Sequence, residues 1–159
     1  VDRGGPVKAG DALSCACQEG RSFVALNPHD QIDDQGNVRE KQCLYCHTIV
    51  PSGGYALSGK DFTDTLKALC ISCHPVGPHP DSDHMVEISP DKRKNMTEYA
   101  EERMVSLPLE DDSVITCVTC HNPHERGLLK GPAGVGADEE NRLRMATFNE
   151  ICSPCHGRH

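Results

Sequence analysis

Cys117-Val118-Thr119-Cys120-His121, with Asn122-Pro123-His124 directly behind it, is the stretch on which the reading of this chain turns. Two thiols three positions apart, followed at once by an imidazole, form the attachment pattern of c-type haem. The thiols add across the two haem vinyl groups, and the adjacent His reaches the iron from one face. The pattern recurs as Cys43-Leu44-Tyr45-Cys46-His47, Cys70-Ile71-Ser72-Cys73-His74 and Cys152-Ser153-Pro154-Cys155-His156. Chance would supply far less than one such match, so the chain reads as a scaffold for four covalent haems (haem C, iron), held by eight cysteines. Two other metal or thiol readings stand beside it. A zinc site also joins Cys-x-x-Cys pairs, but does not demand a His fixed behind every second Cys. A redox dithiol would occur once, inside alternating strands and helices, and no such alternation is visible.

The bulk composition fits a cofactor-filled interior. The chain has 159 residues, of which 36% are hydrophobic, with no Trp, three Phe and three Tyr. Such a supply is poor for a conventional core. Four flat apolar porphyrins would make up the deficit, leaving the polypeptide as a thin covalent wrapper. Folding is then expected to depend on haem attachment. The expected fold is mostly irregular with a few short α-helices and almost no sheet, a multihaem c-type cytochrome with a haem-stack core, in one domain over residues 1–159. The formal charge of −8 argues against nucleic acid as a partner and favours basic redox proteins, minerals or cations. No apolar run approaches the roughly 18 residues of a transmembrane helix. The chain begins at Val1 without a leader and is expected to be a processed, exported protein, because this kind of haem attachment takes place outside the cytoplasmic membrane.

Residues 1–42 hold no attachment site and form an N-terminal arm, irregular apart from the apolar run Phe23-Val24-Ala25-Leu26. The arm carries the leftover Cys15 and Cys17. A local disulfide is the favoured reading in an oxidising compartment, against two free thiols or bridges to a neighbouring chain. Residues 51–60 read as a loop. A helix is expected after Asp61 as N-cap, with Phe62, Leu66, Leu69, Cys70 and Cys73 on one face and Pro75 ending it. Pro75-Val76-Gly77-Pro78-His79-Pro80 is incompatible with regular structure. A short polar helix is expected over Asp91 to Arg103, an acidic turn over Glu110 to Asp112, and a loop over Gly127 to Gly136. A last helix is expected from Glu139 to Cys155, with Leu143, Phe148, Ile151, Cys152 and Cys155 facing inward. The first cysteines of successive motifs lie 27, 47 and 35 residues apart, which is no tandem repeat.

Each iron needs a sixth ligand or an open position. Of nine histidines, His47, His74, His121 and His156 are proximal, and His29, His79, His84, His124 and His159 remain. Their number suggests that four cap the haems and one is spare, His79 or His159 by preference, giving low-spin bis-His iron. His124 follows His121 too closely to reach round the same iron and is expected to cap a neighbouring haem. Asn27-Pro28-His29 echoes Asn122-Pro123-His124, and His159 repeats behind His156 the offset of His124 behind His121. Met85, Met96, Met104 and Met145 are expected to pack rather than ligate.

The Cys-x-x-Cys-His-Asn-Pro-His block at 117–124 resembles the multihaem c-type cytochromes of metal-reducing bacteria. His84-Met85-Val86-Glu87-Ile88-Ser89-Pro90 is similar to their His-Pro-Val-x-x-x-Pro distal-ligand segment, with Met85 in place of the Pro, and this favours His84 over His79. Four haems on an exported chain of this size look most like the tetrahaem extracellular filaments of the outer-membrane cytochrome E type. That resemblance implies identical subunits joined head to tail, with a His from one subunit capping a haem of the next. The donor here would be His29 or His159. The contact is heterologous and does not close. Respiratory electrons would pass outward along the fibre to extracellular metal oxides, other acceptors or redox partner proteins. The expected role is an electron carrier rather than an enzyme. A soluble periplasmic shuttle is the first alternative. A reductase of small nitrogen species, which would need an open iron, is the second.

Overall fold

The computed structural model describes residues 27–51, 59–74 and 85–157. Five short α-helices stand along these stretches: α1 (Glu40–Cys43), α2 (Leu66–Ile71), α3 (Pro90–Arg103), α4 (Cys117–Cys120) and α5 (Phe148–His156). Extended segments meet only at isolated bridges, so the described residues form no sheet. The fold is thus mostly irregular with a few short helices, in line with the composition. The expected disulfide of Cys15 and Cys17, the apolar run at 23–26, most of the 51–60 loop and residues 75–80 lie outside the described residues, as do His79, His84 and His159.

The longest helix follows its sequence cues closely. Ser89 caps α3 by accepting from the Lys92 N–H at 3.4 Å, and Pro90 occupies the first turn, where its missing N–H costs nothing. The helix ends at Met104, whose φ of 51° is left-handed. Only Met96 on α3 is buried. The helix is fixed mainly by its ends: Lys92 Nζ donates to the Cys155 carbonyl at 3.0 Å, and Arg103 pairs with Glu150 at 3.0 Å. Both contacts hold α3 against α5, while α2 packs against α4.

Two helices depart from expectation. Asp61 does not cap α2; it closes the 3₁₀ turn Gly59–Asp61 and is buried. Thr65 is the cap instead, its hydroxyl accepting from the Ala68 N–H at 3.2 Å. Phe62 therefore lies outside the helix, with its ring against His47 at 4.9 Å between centres. The last helix is likewise shorter. Asn141 and Arg142 adopt positive φ (59° and 53°) within the 3₁₀ turn Glu140–Arg142, which breaks any run from Glu139. Leu143 is not on a helix face but bridges His121 in antiparallel fashion. A new helix begins at Thr147, where the Thr hydroxyl accepts from the Glu150 N–H and the Glu150 carboxylate accepts from the Thr147 N–H, both at 3.2 Å. The Phe148 side chain lies outside those described.

Gly136, at φ 86°, lets the 133–137 loop cross this extended segment: a Cβ there would stand 2.5 Å from the Leu143 carbonyl oxygen. The buried apolar set of the described residues is small, consisting of Cys43, Leu66, Met96, Val105, Ile115, Ala137 and Met145.

Candidate haem-binding site

All four attachment motifs fall at or next to helix termini. Cys43 ends α1, Cys70 lies in α2 with Cys73 just beyond, Cys117 and Cys120 bound α4, and Cys152 and Cys155 lie in α5. One helical turn carries a Cys-x-x-Cys pair on one side and delivers the following His just past it. In three motifs a main-chain bond fixes that turn: the N–H of His47, His74 and His121 donates to the carbonyl of the first cysteine at 2.8, 2.9 and 2.9 Å. None of the eight attachment cysteines is in a disulfide. The four pairs are also neighbours. Cys70 hydrogen-bonds Cys117, which with burial raises the Cys70 thiol far above its ordinary range. Burial, with Cys155 and Cys152 nearby, pushes Cys120 up to about 11.

Two imidazole pairs face each other across the described residues. His47 and His124 stand 6.2 Å apart between ring centres with planes only 9° from parallel. His29 and His74 stand 6.0 Å apart at 41°. An imidazole nitrogen bonds a first-row metal at about 2 Å, so two imidazoles on opposite faces of one iron have ring centres roughly 6 Å apart. Both observed gaps match that span and exceed direct ring contact.

The ring nitrogens agree with it. Nδ1 of His29 meets the Pro123 carbonyl at 2.7 Å, which turns its Nε2 to the other side of the ring, and Nδ1 of His121 meets the Asn141 carbonyl at 2.7 Å. Nδ1 of His47 and of His124 is buried and meets no protein partner. Burial holds both rings neutral, lowering His47 and drawing His124 down to about 4 with help from His47 and Arg144. A neutral imidazole keeps the lone pair a metal needs. Unbridged cysteines, the ring spacing and the buried Nδ1 atoms of His47 and His124 together fit a covalent haem.

The two Asn-Pro-His segments are built alike. The His124 N–H donates to the Asn122 side-chain oxygen at 3.1 Å, and the His29 N–H donates to that of Asn27 at 3.0 Å. Each Asn thus closes a local turn that aims its His. The segments also dock on one another. The Glu125 carboxylate accepts from the Gln31 and Ile32 N–H groups at 2.6 and 2.8 Å, and the Glu125 N–H donates to the Gln31 side chain at 2.9 Å. Asn122 is fully buried and donates to the Ala133 and Val135 carbonyls at 3.0 and 2.9 Å.

Sequence reading missed Gln31, Glu125 and Arg144. Glu125 adjoins His124, but nothing in the sequence says its carboxylate receives main chain from some 94 residues away. Arg144 fell inside the expected helix and carried no motif; in the structure it is only 5% exposed. Its Nε donates to the Val118 carbonyl at 2.9 Å and a terminal nitrogen to the Ala133 carbonyl at 3.3 Å.

A family model described as "Doubled CXXCH motif" matches residues 36–78, the span of the first two attachment sites. No curated protein and no solved structure matches the chain. No described helix is long and apolar enough to cross a membrane. The doubled motif, standing on unbridged cysteines followed by His, indicates covalently bound c-type haem and a multihaem c-type cytochrome, a class exported across the membrane.

Proposed function

We propose that the chain carries four covalent haems and passes electrons between them as a subunit of an extracellular cytochrome filament. The observation that carries the electron-transfer reading is the twofold recurrence of an approximately 6 Å imidazole gap beside an attachment motif. Each bound haem supplies a one-electron ferric/ferrous couple. The residues divide the remaining work. Cys43 and Cys46, Cys70 and Cys73, Cys117 and Cys120, and Cys152 and Cys155 tether one haem each. His47 with His124, and His74 with His29, would hold one iron each. His121 and His156 hold the other two from one face, and His84 and His159 are the preferred distal partners there, with His79 spare. Saturated iron has no position for a substrate, so the chain acts as a carrier rather than a reductase.

The filament part of the proposal draws on the resemblance described above and on a surface feature. Leu44, Tyr45, Ile49 and Val50 are exposed around the first attachment motif, an apolar border that suits contact with a second copy. With His29 beside His74 of its own chain, the ligand donated between subunits is assigned to His159.

Haem quantitation of purified holoprotein should give four haems per chain, with low-spin spectra in both redox states. A high-spin band with rapid carbon monoxide binding would shift the reading to a reductase. Electron micrographs at high concentration should show fibres; monodisperse particles would reduce the protein to a soluble shuttle.

A further inference from the structure

We propose that Arg144 is a potential-setting residue, a buried cation that raises the reduction potential of the haem attached at Cys117 and Cys120. The inference rests on the haem-carrying reading above. Arg144 grips that attachment motif twice: its own N–H donates to the Cys120 carbonyl at 2.9 Å, and its side-chain Nε donates to the Val118 carbonyl at 2.9 Å. The remaining bond, to Ala133, also ends on a main-chain carbonyl. Among the described residues no carboxylate pairs with the guanidinium, and its side-chain bonds end on peptide carbonyls. Arginine stays protonated throughout the working pH range. When the ferric centre takes one electron from a neighbouring haem or an external one-electron reductant, the site gains one negative charge. A fixed cation in a low-dielectric setting favours that gain.

The test compares R144Q and R144K holoproteins by spectroelectrochemical titration. Glutamine can still donate to the carbonyls but carries no charge. R144Q should lower one component potential by at least a tenfold shift in its reduction equilibrium, about 59 mV for one electron. R144K should hold that potential near the wild-type value, and the R144Q shift should persist in high salt, because a buried charge is weakly screened. Haem stoichiometry and spin state should not change. If R144Q keeps its full haem content and every component potential is unchanged, the proposal fails. Should R144Q accumulate poorly, R144K decides: loss of thermal stability at constant potential supports the charge, and a comparable fall in potential overturns it. Absence of haem from the wild-type protein is a different result, and would overturn the haem reading itself.

Discussion

The two halves of the attachment system are held in different ways. Around the first two motifs, the facing imidazoles are brought together by side chains far apart in sequence. His124 faces His47, and His29 faces His74 while its Nδ1 rests on a carbonyl 94 residues away. Around the third and fourth motifs, placement comes mainly from the backbone, with the Arg144 side chain added at the third. The Asn122 N–H donates to the Arg142 carbonyl at 2.8 Å, Arg144 N–H to Cys120, and a capped helix carries the last pair. The first pair therefore exists only when residues 27–32 and 122–125 have met, whereas the second is built from neighbouring main chain. Side-chain substitutions should strike the first pair, and cap or backbone substitutions the second.

The largest expected effect removes the distinction altogether. Preventing haem attachment, by expression without the attachment machinery, should abolish cooperative folding, since the buried apolar set of the described residues is too small to offset chain entropy. Calorimetry should show no transition. A haem-free chain with a sharp melt would show that polypeptide packing suffices.

Next come the proposed distal ligands. H124A and H29A should each turn one haem high-spin and open it to carbon monoxide, leaving the rest low-spin, as read by absorption and electron paramagnetic resonance. Both variants staying fully low-spin would detach these rings from the irons assigned to them.

A smaller effect separates the docking clamp from the ligands. E125A frees two main-chain N–H donors from a charged acceptor, a loss of about 1.5–3 kcal/mol. The high-spin fraction should appear first at the haem served by His29, and E125Q should recover part of the loss. The half-exposed Arg39–Asp30 pair on the same arm is the control: D30N should cost about 0–1 kcal/mol. Equal losses in E125A and D30N would mean that the arm is held by general burial.

What could be read from the chain divides along the same line. The Cys-x-x-Cys-His turns, the Ser89-Pro90 start of α3 and the irregular fold were legible, because each depends on residues within one or two turns. The Asn-Pro-His echo was visible, and its meaning is local as well, an Asn side chain bonding the N–H two residues on. The break at 141–147 was not legible. Leu143, Ile151 and Cys155 satisfy a helical period, yet bridge formation with His121 and two positive-φ residues override it. Nor was the Glu125 clamp, since a carboxylate that receives distant main chain leaves no local pattern. The expectation that Asp61 caps α2 failed because Thr65 offers an equivalent oxygen nearer the start of the helical run.

Thr147 gives the finest division between the two halves. Its hydroxyl caps α5 and the reciprocal Glu150 carboxylate bonds the Thr147 N–H, while the same carboxylate holds Arg103 of α3. T147A removes one acceptor and should destabilise by about 1 kcal/mol, or a fall in melting temperature of about 2–4 °C for a domain of this size. The loss should be local. The helix that frays carries Cys152 and Cys155, so the fourth haem should show the altered spectrum, and the His47–His124 and His29–His74 sites should not. T147S keeps the oxygen and should restore both measurements. If T147A disturbed the first two haems as much as the fourth, the backbone-built half and the side-chain-built half would be one cooperative unit, and the contrast between them would describe geometry but not energy.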